Sequence, residues 1–287
     1  IKVEKVSINP KITITEGKNM LIMGLSMSVS NILITFSAYL LRSFINNIDG
    51  TEAVGLYTAG FTIVTTYFSM IFTAMSTDYY PRLAAVNKDN KKCRQLANEQ
   101  GEVASLIMTP LLLACIIFMP LIINVLYSNK FLDANNFILW AVLGMLFKLA
   151  SWVIAFQFIA KSESKLYIIN ESLLNAYTLA LSLLGYNFWG LTGLGVAYSL
   201  SNVVYFVQVY LIAKIRYSFS FSKQFTSLMF LQNVLVIFSL IVVKSMGLVM
   251  MYFLGGIILI LSCIISFKGL ESRTGFATSL KAKIFNK

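Results

Sequence analysis

Eight apolar blocks, each about 20 residues long and parted by short polar stretches, constrain this chain more than any other feature. They cover about 20–41, 53–77, 103–126, 137–160, 166–184, 191–213, 227–243 and 247–267. At 1.5 Å of rise per residue, a helix of about 20 residues crosses the hydrocarbon core of a bilayer. Only helices or closed barrels satisfy the backbone in lipid, and these blocks lack the two-residue alternation of a barrel strand. The sequence therefore predicts an all-α, polytopic integral membrane bundle of about eight transmembrane helices. A composition of 57% hydrophobic and 12% charged residues excludes a soluble globular enzyme.

The basic residues fix an orientation. If the N-terminus is placed inside, 19 of the 23 Lys and Arg fall in segments 1–19, 78–102, 161–165, 214–226 and 268–287 on one face. Arg42, Lys130 and Lys244 fall towards the other face, and Lys148 lies within a span. The positive-inside rule then puts both termini in the cytoplasm. The net charge of +11 is accounted for by loops facing anionic lipid, without nucleic acid. The outer loops, about 43–52, 127–136, 185–190 and 244–246, are too short for an extracellular domain. The longest soluble segment, 78–102, is expected to contain an amphipathic helix with Leu83, Val86 and Leu96 turned inward, after Pro81 ends or kinks the second span. Cys93 lies in this segment and is expected to report its side of the membrane. Residues 11–15, Lys-Ile-Thr-Ile-Thr, read as an extended connector.

Several chemistries are excluded. There is no histidine, so His-ligated metals and His-based triads or dyads are absent. Cys93, Cys115 and Cys263 are far apart and suggest neither a disulfide framework nor a zinc site. No cofactor is expected.

Polar residues inside spans are costly, so their spacing is informative. Gly24, Ser28, Asn31, Thr35, Ala38 and Arg42 share one helical face of the first span. Gly55, Thr58, Thr62, Thr65, Ser69, Thr73 and Ser76 share one in the second. Glu171, Asn175, Thr178 and Ser182 do so in the fifth, and Gly195, Tyr198, Asn202 and Tyr205 in the sixth. Such stripes serve either close helix packing, with hydroxyls bonded to their own backbone, or a hydrated central cavity. Lys148 is about a dozen residues from either end of its span, roughly 17 Å, whereas a lysine stem reaches about 6 Å. It must meet cavity water, a carboxylate or protein carbonyls. Glu171 is the nearest candidate partner. Arg42 either anchors at the interface beside Asp49 or Glu52 or meets an anion at the cavity mouth. Lysine and arginine lining a polar cavity favour a substrate that carries phosphate or another anion.

The runs Val54-Gly55-Leu56-Tyr57-Thr58-Ala59-Gly60 and Ala74-Met75-Ser76-Thr77-Asp78-Tyr79-Tyr80-Pro81-Arg82-Leu83 resemble the Wzx-type O-antigen translocases. So do Tyr127-Ser128-Asn129-Lys130-Phe131, Leu146-Phe147-Lys148-Leu149 and Ala160-Lys161. These are polysaccharide flippases of the multidrug/oligosaccharidyl-lipid/polysaccharide exporter superfamily, and the resemblance covers about residues 20–220. It implies a connector at 1–19, the second six-helix lobe at 20–213, a loop at 214–226, two additional helices at 227–267 and a basic tail at 268–287. A preceding first lobe is expected, and the chain opens on Ile1 rather than Met. The implied activity is flipping of undecaprenyl-diphosphate-linked oligosaccharide across the bacterial inner membrane by alternating access, with Lys148 and Arg42 meeting the substrate. Asn31, Thr35, Glu171, Asn175 and Asn202 complete the candidate substrate-binding set. Coupling to a proton or sodium gradient, and partnership with a polysaccharide polymerase and a chain-length regulator, go with that reading. A cation-coupled multidrug exporter would favour a more acidic cavity. A polymerase or glycosyltransferase would need a large external loop.

Overall fold

The computed structural model describes residues 10–274, and among them every element is helical. The elements are α1 (Pro10–Thr62), a π-helical turn (Ile63–Tyr67), α2 (Phe68–Ala85), α3 (Asn90–Leu126), a 3-10 turn (Asn129–Ala134), α4 (Asn135–Leu143), α5 (Met145–Ala160), α6 (Ser164–Tyr217), α7 (Lys223–Ser245) and α8 (Leu248–Thr274). The outer parts of the expected connector and basic tail, 1–9 and 275–287, lie outside the described residues.

Five helical runs are long and apolar enough to cross a membrane, and α4 with α5 form a sixth span bent by 46°. Two of the five runs are far longer than one crossing. Met20–Ala85 would extend about 100 Å if straight, three times the hydrocarbon thickness. It breaks at Gly50, whose φ of 78° is open to glycine without a Cβ penalty. Leu41 and Tyr57, about 24 Å apart on a straight helix, line one cavity because the chain folds back there. α6 breaks in the same way at Trp189–Gly190, with Gly190 at φ 56°. Gly185 and Gly193 then touch backbone to backbone, so close that a Cβ on Gly193 would lie 1.8 Å from the Gly185 carbonyl oxygen. The result is the eight membrane-crossing segments read from the sequence, with two of the expected outer loops reduced to sharp breaks.

Three local expectations are corrected. Residues 11–15 are helical, because α1 already begins at Pro10. Pro81 does not end its helix, since α2 continues to Ala85. Segment 78–102 holds no separate surface helix: after a turn at Val86–Asp89, α3 runs unbroken from Asn90 into the membrane. The Asp89 carboxylate caps it by accepting from the amides of Lys91 and Lys92. Leu83 is nevertheless fully buried, and Val86 and Leu96 pack against the same apolar cluster.

The basic segments do gather at one end. Lys161 Nζ donates to the Asn87 carbonyl and to Asn90 Oδ1, and Asn87 Nδ2 donates to the Ala160 carbonyl. Arg216 forms a bidentate pair with Glu163. The hydrogen bonds and the ion pair with Lys161 and Arg216 tie the α2–α3, α5–α6 and α6–α7 turns together. Glu102 of α3 accepts from Ser222 Oγ, which itself caps α7, and from Arg273 Nε of α8 at 2.7 Å. One half-buried carboxylate thus pins both additional helices to α3. At the other end Asp49 accepts from the Tyr186 hydroxyl, and Lys244 Nζ sits 4.2 Å over the Trp140 ring. Large apolar side chains such as Val125, Ile215 and Val249 point outward along the bundle, as a lipid-facing surface requires.

Candidate functional site

The bend between α4 and α5 sets the site. Gly144 lies against Ser199 of α6, whose Cα would be 2.6 Å from a Cβ at Gly144. Ser199 Oγ donates to the carbonyls of Trp140 and Ala141 beside the bend. One turn later, Lys148 projects into a cavity of about 200 Å³. Its wall is formed by the first arm of α1 (Ile34, Ser37, Ala38, Leu41), the second arm (Tyr57, Phe61) and Phe137 of α4. Glu171, Asn175, Thr178 and Ser182 of the first arm of α6 face Tyr198, Ser201 and Asn202 of its second arm across it.

Lys148 Nζ donates to the Tyr198 hydroxyl at 3.0 Å, and the Tyr198 hydroxyl donates on to Met145 Sδ. The ammonium also lies 5.5 Å from the Tyr198 ring centroid. Glu171 accepts from the Tyr205 hydroxyl at 2.6 Å. Lys148 and Glu171 line the same cavity, yet no ion pair joins them among the described residues. Asn175 Nδ2 and Thr178 Oγ1 are buried on this wall without a hydrogen-bond partner among the described residues, which is where a polar ligand would satisfy them. Tyr57, Phe61, Phe137 and Tyr198 form a contiguous aromatic wall, with ring centroids 5.5–6.5 Å apart.

Of the residues singled out in the sequence, the structure brings Lys148, Glu171, Asn175 and Asn202 together. Asn31, Thr35 and Arg42 do not line this cavity; they are exposed on the first arm of α1, where Thr35 Oγ1 bonds the Asn31 carbonyl. Arg42 has no ion pair with Asp49 or Glu52. The stripe of the fifth span faces the cavity and the sixth contributes Tyr198 and Asn202, whereas the first contributes only Ala38 from its members and the second none. Ser26, Ser30 and Thr65 bond to carbonyls one turn back, as close packing in lipid allows. Tyr198 is read from the sequence only as a member of the sixth span's stripe, and the rest of the aromatic wall is not singled out, because aromatic residues in apolar blocks suit packing equally well. The residue types at the break, Gly144 and Ser199, carry no sequence signal that pairs them.

The described residues hold no cluster of three or more His, Cys, Asp or Glu side chains suited to a metal ion. The structure defines a polytopic helix bundle with a lysine and a glutamate on the wall of one cavity. A family model described as "Polysaccharide biosynthesis protein" matches residues 2–136. No curated protein matches the chain. Among solved structures, the fold is that of the lipid II flippase MurJ in its inward closed conformation, at a TM-score of 0.57 and 14% identity. That alignment covers 91% of this chain and 54% of the flippase, so the chain spans about half of its length. The family model agrees with the resemblance read from the sequence in pointing to polysaccharide biosynthesis, and the structural match agrees with it in fold.

Proposed function

We propose that the protein flips undecaprenyl-diphosphate-linked oligosaccharide units across the bacterial inner membrane, for O-antigen or another surface polysaccharide, by alternating access. The observation that carries this is the cavity lysine. Lys148 has one of its three N–H donors on Tyr198 and no carboxylate in contact among the described residues, so its charge is available to an anionic group of the substrate. The unpartnered amide of Asn175 and hydroxyl of Thr178 match sugar hydroxyls, and the aromatic wall offers flat apolar faces to pyranose rings. The apolar outer surface leaves a prenyl tail in lipid while the head group crosses. Glu171, the only carboxylate on this wall among the described residues, is the residue we assign to coupling with a proton or sodium gradient. The basic end faces the cytoplasm in this reading, and a polysaccharide polymerase and a chain-length regulator act on the delivered units.

Loss of the gene product tests the proposal. Lipid-linked repeat units should accumulate on the inner leaflet while surface polysaccharide falls and synthesis of the unit continues. Normal surface polysaccharide with an altered drug-resistance profile would favour a multidrug exporter. Single repeat units already outside the cell would point to a polymerase.

A further inference from the structure

Lys148 and Glu171 come from different elements, α5 and the first arm of α6, and neither is held by the other. Each is held by a tyrosine of the second arm of α6. Tyr198 takes the ammonium at 3.0 Å and Tyr205 takes the carboxylate at 2.6 Å. Seven residues separate the two tyrosines, which is two helical turns, or about 10 Å along one face. Asn202 lies between them, and its amide is committed to the Tyr198 carbonyl at 2.8 Å rather than to either charge.

Opposite charges on the wall of one small, low-dielectric cavity attract strongly. Left free, two long side chains so placed would close into a contact pair, and the ammonium would then be neutralised before any substrate arrived. We infer that Tyr198 and Tyr205 are positioning residues, two hydroxyl clamps that hold Lys148 and Glu171 apart and keep both open to the substrate. The role given to substrate rests on the glycan-flipping reading above, whereas the clamping itself is measurable without any glycan.

The first measurement is acetylation of Lys148 by acetic anhydride in the full chain in its membrane, followed by mass spectrometry. Removing the hydroxyl in Tyr205→Phe frees the carboxylate to close on the ammonium, so acetylation should slow several-fold. Adding Glu171→Gln should return the rate to that of the parent. Tyr198→Phe is an independent variant with the same expected slowing and the same cancellation. The second measurement is transport of lipid-linked glycan, with membrane protein level as the control for folding. Tyr205→Phe should raise the apparent KM about tenfold at an unchanged maximal rate, the cost of one charge-assisted contact. The double variant Tyr205→Phe/Glu171→Gln should transport as Glu171→Gln alone does. Unchanged Lys148 acetylation in both tyrosine variants would overturn the inference. So would transport by Tyr205→Phe/Glu171→Gln that falls below that of Glu171→Gln alone. The expected acetylation pattern in a protein that moves no glycan would uphold the clamps and reject the flippase reading.

Discussion

Lys148 was legible because a charge a dozen residues from either end of an apolar block has no bland location in a bilayer. Glu171, Asn175 and Asn202 stood out for the same reason, and all four face one cavity. Spacing says which residues share a helical face but not what that face meets, which is why Asn31, Thr35 and Arg42 read like the others and yet stand outside it. The unpartnered Thr178 hydroxyl on the cavity wall leads to a prediction at this scale. An isosteric Thr178→Val change removes an unsatisfied polar group, so stability should stay within about 1 kcal/mol of the parent or rise. Transport should fall. Thermal unfolding in detergent and a flipping assay on the same samples check the two halves. A drop in stability would mean that the hydroxyl has a partner within the fold.

The helices were read from their apolar blocks, but their breaks were not. The sequence allotted loops to 43–52 and 185–190, and the structure turns at Gly50 and Trp189–Gly190. A break held by two backbones in contact leaves no polar segment to read. At the second break, Gly193→Ala would set a Cβ against the Gly185 carbonyl, a backbone atom with nowhere to go. It should destabilise by about 3 kcal/mol. Gly256→Ala, where a Cβ meets open space, should be near neutral in the same melting experiment. The start of α3 gives a second prediction. The amides of Lys92 and Lys91 hold the Asp89 carboxyl below its ordinary range. A depressed carboxyl stabilises the folded state above its unfolded pKa and loses that contribution as pH falls through the folded value. Asp89→Ala should therefore speed hydrogen exchange at the first turn of α3 at neutral pH, whereas Asp89→Asn should retain most of the protection. Equal exchange in parent and Asp89→Ala would show that the cap does not hold this turn.

On the scale of the whole molecule, the charge count and the contacts agree. Segments given to one face by their lysines and arginines are tied together by Lys161, Arg216 and Glu102. Two features of the bundle escaped the sequence: the path of α3 and the α1 start at Pro10, because amphipathic and apolar helix run together without a break signal. Cys93 is also no probe of sidedness, since it is fully buried and donates to the Val86 carbonyl. The exposed Lys88 replaces it: a Lys88→Cys variant should react with a membrane-impermeant maleimide only after the membrane is opened, and labelling of intact cells would invert the orientation. The central claim is that Lys148 meets the anionic group of a lipid-linked glycan inside the bundle. The most direct measurement is flipping of labelled prenyl-diphosphate oligosaccharide in vesicles carrying parent, Lys148→Arg, Lys148→Ala or Lys148→Glu protein at matched membrane levels. If Lys148 meets that anionic group, Lys148→Arg should keep partial transport, Lys148→Ala should lose it and Lys148→Glu should show the deepest loss. Full transport by Lys148→Ala would contradict the claim.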